Sequence, residues 1–182
     1  MKIEKNVEPI KSNEFLKELS FCRNDTNSYL RKLLPQENNE VLYDAINYAI
    51  FSGGKRFRAF LVIQAAKLFE IPKIRALQAA SAIETTHTYS LVHDDLPSMD
   101  NDDIRRGKPT VHIKWDEATA VLVGDALQAF AYQILSDKKT HPKSEVRLNL
   151  IKTLSEASGY NGMVLGQSKD LEAEKIVNTL QL

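Results

Sequence analysis

Apolar residues recur at spacings of three and four along nearly the whole of this chain, a period that buries one face of a helix and argues against a sheet. Residues 12–34 carry Phe15, Leu16, Leu19, Leu30, Leu33 and Leu34 in this pattern, and Pro35 stops it. Residues 37–51 repeat it with Val41, Leu42, Ala45, Ile46, Ala49 and Ile50, until Ser52-Gly53-Gly54 interrupts. A third helix is expected from near Lys55 to Pro72, and a fourth from about Lys73 to Leu96. The fourth is poor in charge between Leu77 and Val92, which suits a central helix buried on most sides. Residues 97–114 contain Pro97, Gly107 and Pro109, lack periodicity and read as a loop. A fifth helix follows from about Trp115 to Ser136, a sixth runs to Ser158, and a seventh begins near Met163. No segment alternates with period two, so no strand is expected. The expectation is one all-α domain over residues 1–182, an antiparallel helix bundle whose sites form between facing helices.

Bulk composition narrows the function. The 24 Lys+Arg balance the 24 Asp+Glu, which argues against a nucleic-acid binder. The single cysteine, Cys22, precludes an intramolecular disulfide and fits a reducing compartment. The N-terminus MKIEKNVEPIKSNEF is charged throughout, without the apolar stretch of a signal peptide. No run of 18 apolar residues occurs, so no membrane span is expected. These features together point to a cytoplasmic location.

Charge is distributed unevenly. Five of the eleven aspartates fall between Asp94 and Asp103, and Arg105 and Arg106 follow directly. Packing like charges together costs stability, so a cation is expected among the carboxylates, and the arginines suggest that it arrives with an anion. Mg²⁺ with a phosphate ester fits: it takes oxygen ligands, binds through one or two carboxylates and completes its shell with water and phosphate. A solvated acidic loop is the plainer alternative. If the fourth helix continued, Asp94 and Asp100 would lie far apart around its axis. Pro97 ends the helix before that happens. The chain can then turn and bring Asp100 back beside Asp94, at a helix C-terminus whose dipole also favours a cation. His87 and Ser90 share a face with Asp94, His87 about 10 Å below it. A lone histidine there is equally compatible with a satisfied core residue.

Two basic segments complete the pattern. In Ser52-Gly53-Gly54-Lys55-Arg56-Phe57-Arg58 the glycines allow close backbone approach, and the helix opening after them offers free N–H groups to a phosphate. Lys55 and Arg58, three apart, can point the same way. The segment is not a Walker A loop, because Arg56 follows the lysine and Ala49 precedes. Arg105 and Arg106 are either counter-ions to the acidic cluster or bidentate holders of diphosphate. No histidine or cysteine spacing suggests zinc.

Four stretches, GGKRFRAFL (53–61), HTYSLVHDDLPSMDNDDIRRGKPTVH (87–112), GDALQAFA (124–131) and GMVLGQSKDL (162–171), together resemble the trans-isoprenyl diphosphate synthases, nearest to bacterial members that form farnesyl diphosphate. The resemblance implies an isoprenoid-synthase helix bundle with Mg²⁺ on Asp94 and Asp100, supported by Asp95. It implies that Gly54, Lys55, Arg58, His87 and Arg106 hold isopentenyl diphosphate, and that Arg105 holds the allylic diphosphate. It assigns Tyr89 to the floor that limits prenyl length, although ideal helix geometry puts Ser90, not Tyr89, beneath Asp94. Tyr89 with the insertion Pro97-Ser98 implies a C15 product, and the family allows a homodimer. The second aspartate motif of such synthases is missing: after Asp103 only the scattered Asp116, Asp125, Asp137 and Asp170 remain. A C-terminally truncated, weakly active or inactive synthase is therefore expected, with apolar surface exposed on the fourth and fifth helices. A class I terpene cyclase and a non-catalytic helical partner subunit are the alternatives.

Overall fold

A computed structural model describes residues 12–34 and 40–180. Residues 1–11, most of the N-terminal segment read for targeting signals, and Pro35 lie outside the described residues. The elements are α1 (Ser12–Leu33), α2 (Val41–Phe51), α3 (Phe57–Leu68), α4 (Lys73–Asp94), β1 (Ile104–Arg105), β2 (Lys108–Pro109), α5 (Val111–Lys114), α6 (Glu117–Ser136), α7 (Ser144–Ser158) and α8 (Met163–Leu180). The all-α expectation holds, and each expected long helix is present with its ends shifted by a few residues.

The expected absence of strands needs one correction. Within the segment read as featureless, Ile104 pairs with Pro109 and Arg105 with Lys108 in a two-residue antiparallel ladder. Arg106 (φ 54°) and Gly107 (φ 74°) make its turn, as positive φ at both central positions of a hairpin requires. Two residues per strand are too few to leave an alternating pattern in the sequence. The short α5 follows at once, for the same reason invisible to periodicity.

α4 is the axis of the molecule. It packs most extensively on α6, then on α3, and also touches α1 and α2. Eleven of its residues are buried, on all sides. Small residues make this enclosure feasible: Ala80, Ala82 and Ser81 are fully inaccessible, so neighbouring helices approach closely. One apolar cluster joins Leu30, Ile50, Val92, Val123 and Leu127 across α1, α2, α4 and α6. A second joins Cys22, Ala59, Ile63 and Ala80, which places Cys22 in the core as a small hydrophobe.

α6 begins at Asp116, whose Oδ1 accepts from the Thr119 N–H at 2.6 Å, the N-cap that short acidic side chains provide. By length and composition α6 is apolar enough to cross a membrane, but here it packs against α2, α4, α5 and α7. Val121 and Leu122 on α6 are exposed, as is Ile74 on α4.

Candidate active site

The acidic end of the site is built where α4 stops. After Asp94 the backbone tightens: the Asp95 N–H donates to Leu91 O and the Leu96 N–H to His93 O. The chain then folds back, and the Asp100 N–H donates to the Asp94 carbonyl at 2.9 Å while the Asp102 N–H donates to the Asp95 carbonyl at 3.2 Å. Asn101 takes the left-handed conformation (φ 53°) that this reversal needs, a conformation asparagine tolerates well. The turn expected at Pro97 thus brings Asp100 beside Asp94. Burial, and next the charge of Asp100, push the Asp94 carboxyl above its usual range.

The two adjacent aspartates differ in their partners. Asp95 is buried and accepts from Arg105 Nε at 2.5 Å. Burial raises its pKa, and the guanidinium offsets only part of that rise. Arg105 also reaches Asp102 through Nη2 at 3.2 Å, so the counter-ion reading describes two of its three nitrogens. Asp94 instead accepts a hydrogen bond from the side-chain amide of Gln167 on α8. No group of three His, Cys, Asp or Glu side chains gathers among the described residues. A pair of carboxylates nonetheless suits a cation that draws its other ligands from water and phosphate, as Mg²⁺ does.

Below Asp94 lies a cavity of about 310 Å³, lined by Tyr89, Ser90, Met99, Val121, Met163 and Val164 among others. Tyr89 and Ser90 both line it. The Tyr89 ring meets the His93 ring edge-on at 5.1 Å, and His93 Nε2 lies 3.1 Å from Val121 O on α6. Gly124 makes this packing feasible: a Cβ there would sit 1.9 Å from His93 Nε2.

The basic end forms where α3 opens. Gly53 and Gly54 have φ of 120° and 109°, values open to glycine and few other residues. The Arg106 side chain lies across them, donating to Gly53 O, and a Cβ on Gly54 would fall 2.6 Å from Arg106 Nη1. Arg58 Nη1 lies 3.1 Å from His87 Nε2. A guanidinium can only donate, so His87 Nε2 accepts and its proton resides on Nδ1. Burial, then Arg58, push the His87 pKa down to about 4, and at neutral pH the ring is uncharged. Partial desolvation and then Arg56 lower the Arg106 pKa, with Arg105 and Arg58 acting in the same sense. Gly54, Arg58, His87 and Arg106 therefore converge.

Lys55 lies just ahead of α3. Arg56 adopts φ 54° before the first helical residue, so Lys55 precedes the helix and the three-residue stacking over Arg58 does not apply. It lines a groove with Phe15, Leu19, Arg23 and Phe57 on the α1 side.

Arg56 and Glu84 were not singled out in the sequence, and they organise this end. Glu84 is buried in mid-α4. Its Oε2 accepts from Arg56 Nη1 at 3.2 Å, and its Oε1 accepts from the Ala59 N–H at 3.0 Å. Arg56 also donates through Nε to Asn27 Oδ1 at 2.9 Å and through Nη2 to Ile50 O. The signal available was Glu84 itself, a lone carboxylate in the charge-poor run of α4, which demanded a partner. Gln167 carried no comparable signal beyond lying within GQSKDL.

The polyprenyl synthetase family model matches residues 39–181. The chain belongs to the polyprenyl synthetase family. It is 50% identical over 139 residues to farnesyl diphosphate synthase of Haemophilus influenzae, covering 76% of this chain and 47% of that one. It is 43% identical over 165 residues to farnesyl diphosphate synthase of Escherichia coli, covering 88% and 55%. Its fold matches the crystal structure of an FPP/GFPP synthase from Zymomonas mobilis with TM-score 0.83 and 49% identity, over 87% of this chain and 58% of the other. The chain thus spans about half the length of the family relatives it matches.

Proposed function

We propose that the site belongs to a prenyltransferase that condenses isopentenyl diphosphate with dimethylallyl or geranyl diphosphate to give farnesyl diphosphate. The observation that carries the reading is the return of Asp100 to Asp94 beside a mostly apolar cavity. Asp94 and Asp100 would hold Mg²⁺, which when bound neutralises charge developing on the departing diphosphate. Arg105 would meet the same diphosphate with its remaining nitrogen. Gly54, Arg58, His87 and Arg106 would hold the diphosphate of isopentenyl diphosphate, with neutral His87 donating from Nδ1 while Nε2 orients Arg58. Lys55, just ahead of α3, would join them.

In the reaction the allylic C–O bond breaks and its electron pair leaves with diphosphate. The alkene of isopentenyl diphosphate forms the new C–C bond to the allylic carbon, and the proton it then loses passes to the released diphosphate. The cavity beneath Asp94 would take the tail and exclude water from the allylic cation, with Tyr89 and Ser90 at its floor. These 182 residues hold a single aspartate cluster, so turnover by this chain alone is proposed to be weak.

Calorimetry with Mg²⁺ and geranyl diphosphate, followed by product analysis with isopentenyl diphosphate, tests the reading. Mg²⁺-dependent binding and any C15 product support it. Absence of Mg²⁺-dependent binding, or consumption of geranyl diphosphate without incorporation of isopentenyl units, overturns it. The Tyr89→Ala protein is expected to make longer products, and an unchanged C15 product removes Tyr89 from that role.

A further inference from the structure

We propose that Gln167 is a positioning residue that orients the Asp94 carboxylate toward its cation. The inference rests on the reading of Asp94 as a Mg²⁺ ligand. Gln167 stands 73 residues from Asp94 in the chain, on α8, and its amide donates to Asp94 Oδ1. A carboxylate rotates about its Cβ–Cγ bond. An N–H on one oxygen fixes its plane and leaves the other free to ligate.

Neighbouring Asp95 supplies the contrast. It is buried and bound by a guanidinium, so its charge is already matched and its geometry is committed to Arg105. Asp94 is held by a neutral amide, which orients the group without pairing its negative charge as Arg105 pairs that of Asp95. That arrangement suits a ligand awaiting a cation, since ligating carboxylates are themselves held by hydrogen bonds that set their orientation. Met163 and Val164, on the same helix as Gln167, line the cavity beneath Asp94. One stretch of α8 thereby faces both the carboxylate and the tail cavity.

The test uses calorimetric titration of Mg²⁺ in the presence of inorganic diphosphate, with side-chain amide NMR of Gln167. In the unaltered chain the Gln167 amide resonances should shift in step with Mg²⁺ occupancy. Gln167→Ala should weaken Mg²⁺ binding about tenfold. Gln167→Met, which keeps the unbranched stem and removes the donor, should match it. Both proteins should melt, metal-free, at the temperature of the unaltered chain. The proposal is overturned if both variants bind within twofold of the unaltered chain while Asp94→Asn loses binding. It is also overturned if Gln167→Met alone binds normally, because the contact is then packing, or if affinity falls only in step with melting temperature. If Asp94→Asn and Asp100→Asn bind Mg²⁺ undiminished, or the unaltered chain binds none, the underlying reading fails and the inference goes with it.

Discussion

The two ends of the site are prepared differently. The guanidiniums of the site, Arg58 apart, donate to carboxylate or carbonyl oxygens: Arg56 to Glu84, Asn27 and Ile50 O, Arg106 to Gly53 O, Arg105 to Asp95 and Asp102. Arg58, the exception, leans on a neutral imidazole. At the acidic end Asp94 and Asp100 are brought together against their mutual repulsion, with an amide as the partner of Asp94. The cations are set in place at folding, and the carboxylates are held in a state that a metal would relieve. Preorganisation of this kind places charge where it is needed before substrate arrives.

Substitutions at the two ends should consequently have opposite signs. The largest effect is expected from Glu84→Ala, which leaves Arg56 buried without its counter-ion and the α3 N-terminus uncapped. Removing one partner of a buried pair costs about 3–5 kcal/mol, measurable by urea denaturation. A loss below about 1 kcal/mol would show that the basic end is not locked as described.

Next is Gly124→Ala, where the new methyl must displace His93. Overpacking of this sort costs about 1–3 kcal/mol and should appear as a lower thermal midpoint. At the acidic end, Asp100→Asn should stabilise the metal-free chain, by up to about 1 kcal/mol, while Mg²⁺ with diphosphate ceases to stabilise it. Destabilisation by Asp100→Asn would break the contrast.

A pH dependence at the basic end gives a further test. His87 has a folded pKa near 4 against 6.5 for the free group, so the unfolded chain binds the extra proton first. Its contribution to stability is fully present above pH 6.5 and is lost as pH falls toward 4. With solvent screening of a half-buried ring this amounts to about 1–2 kcal/mol, and His87→Gln should flatten that part of the stability profile.

Much of this arrangement could be read from residue order. The long helices followed from period alone, because burial of one face is a property of spacing. The return of Asp100 followed from Pro97, whose effect on the preceding residues is local. What escaped were contacts between residues far apart in the chain: Glu84 with Arg56, Gln167 with Asp94, and Gly124 with His93. Such pairs are created by helix packing and leave no periodic trace. Lys55, expected near the start of α3, lies just ahead of it, since the left-handed Arg56 sets the first helical residue at Phe57. The hairpin at residues 104–109 was too short to register.

That hairpin is moored at one point with a wider reach. Tyr48 on α2 donates its hydroxyl to the Pro109 carbonyl at 2.7 Å, its ring abuts Trp115, and Lys114 Nζ sits 3.8 Å above it. A phenol on the second helix thus acts as an anchor pin for the ribbon bearing both loop arginines. Tension applied to α2 would be felt at the Arg105 and Arg106 guanidiniums, although no residue of α2 stands among the proposed ligands.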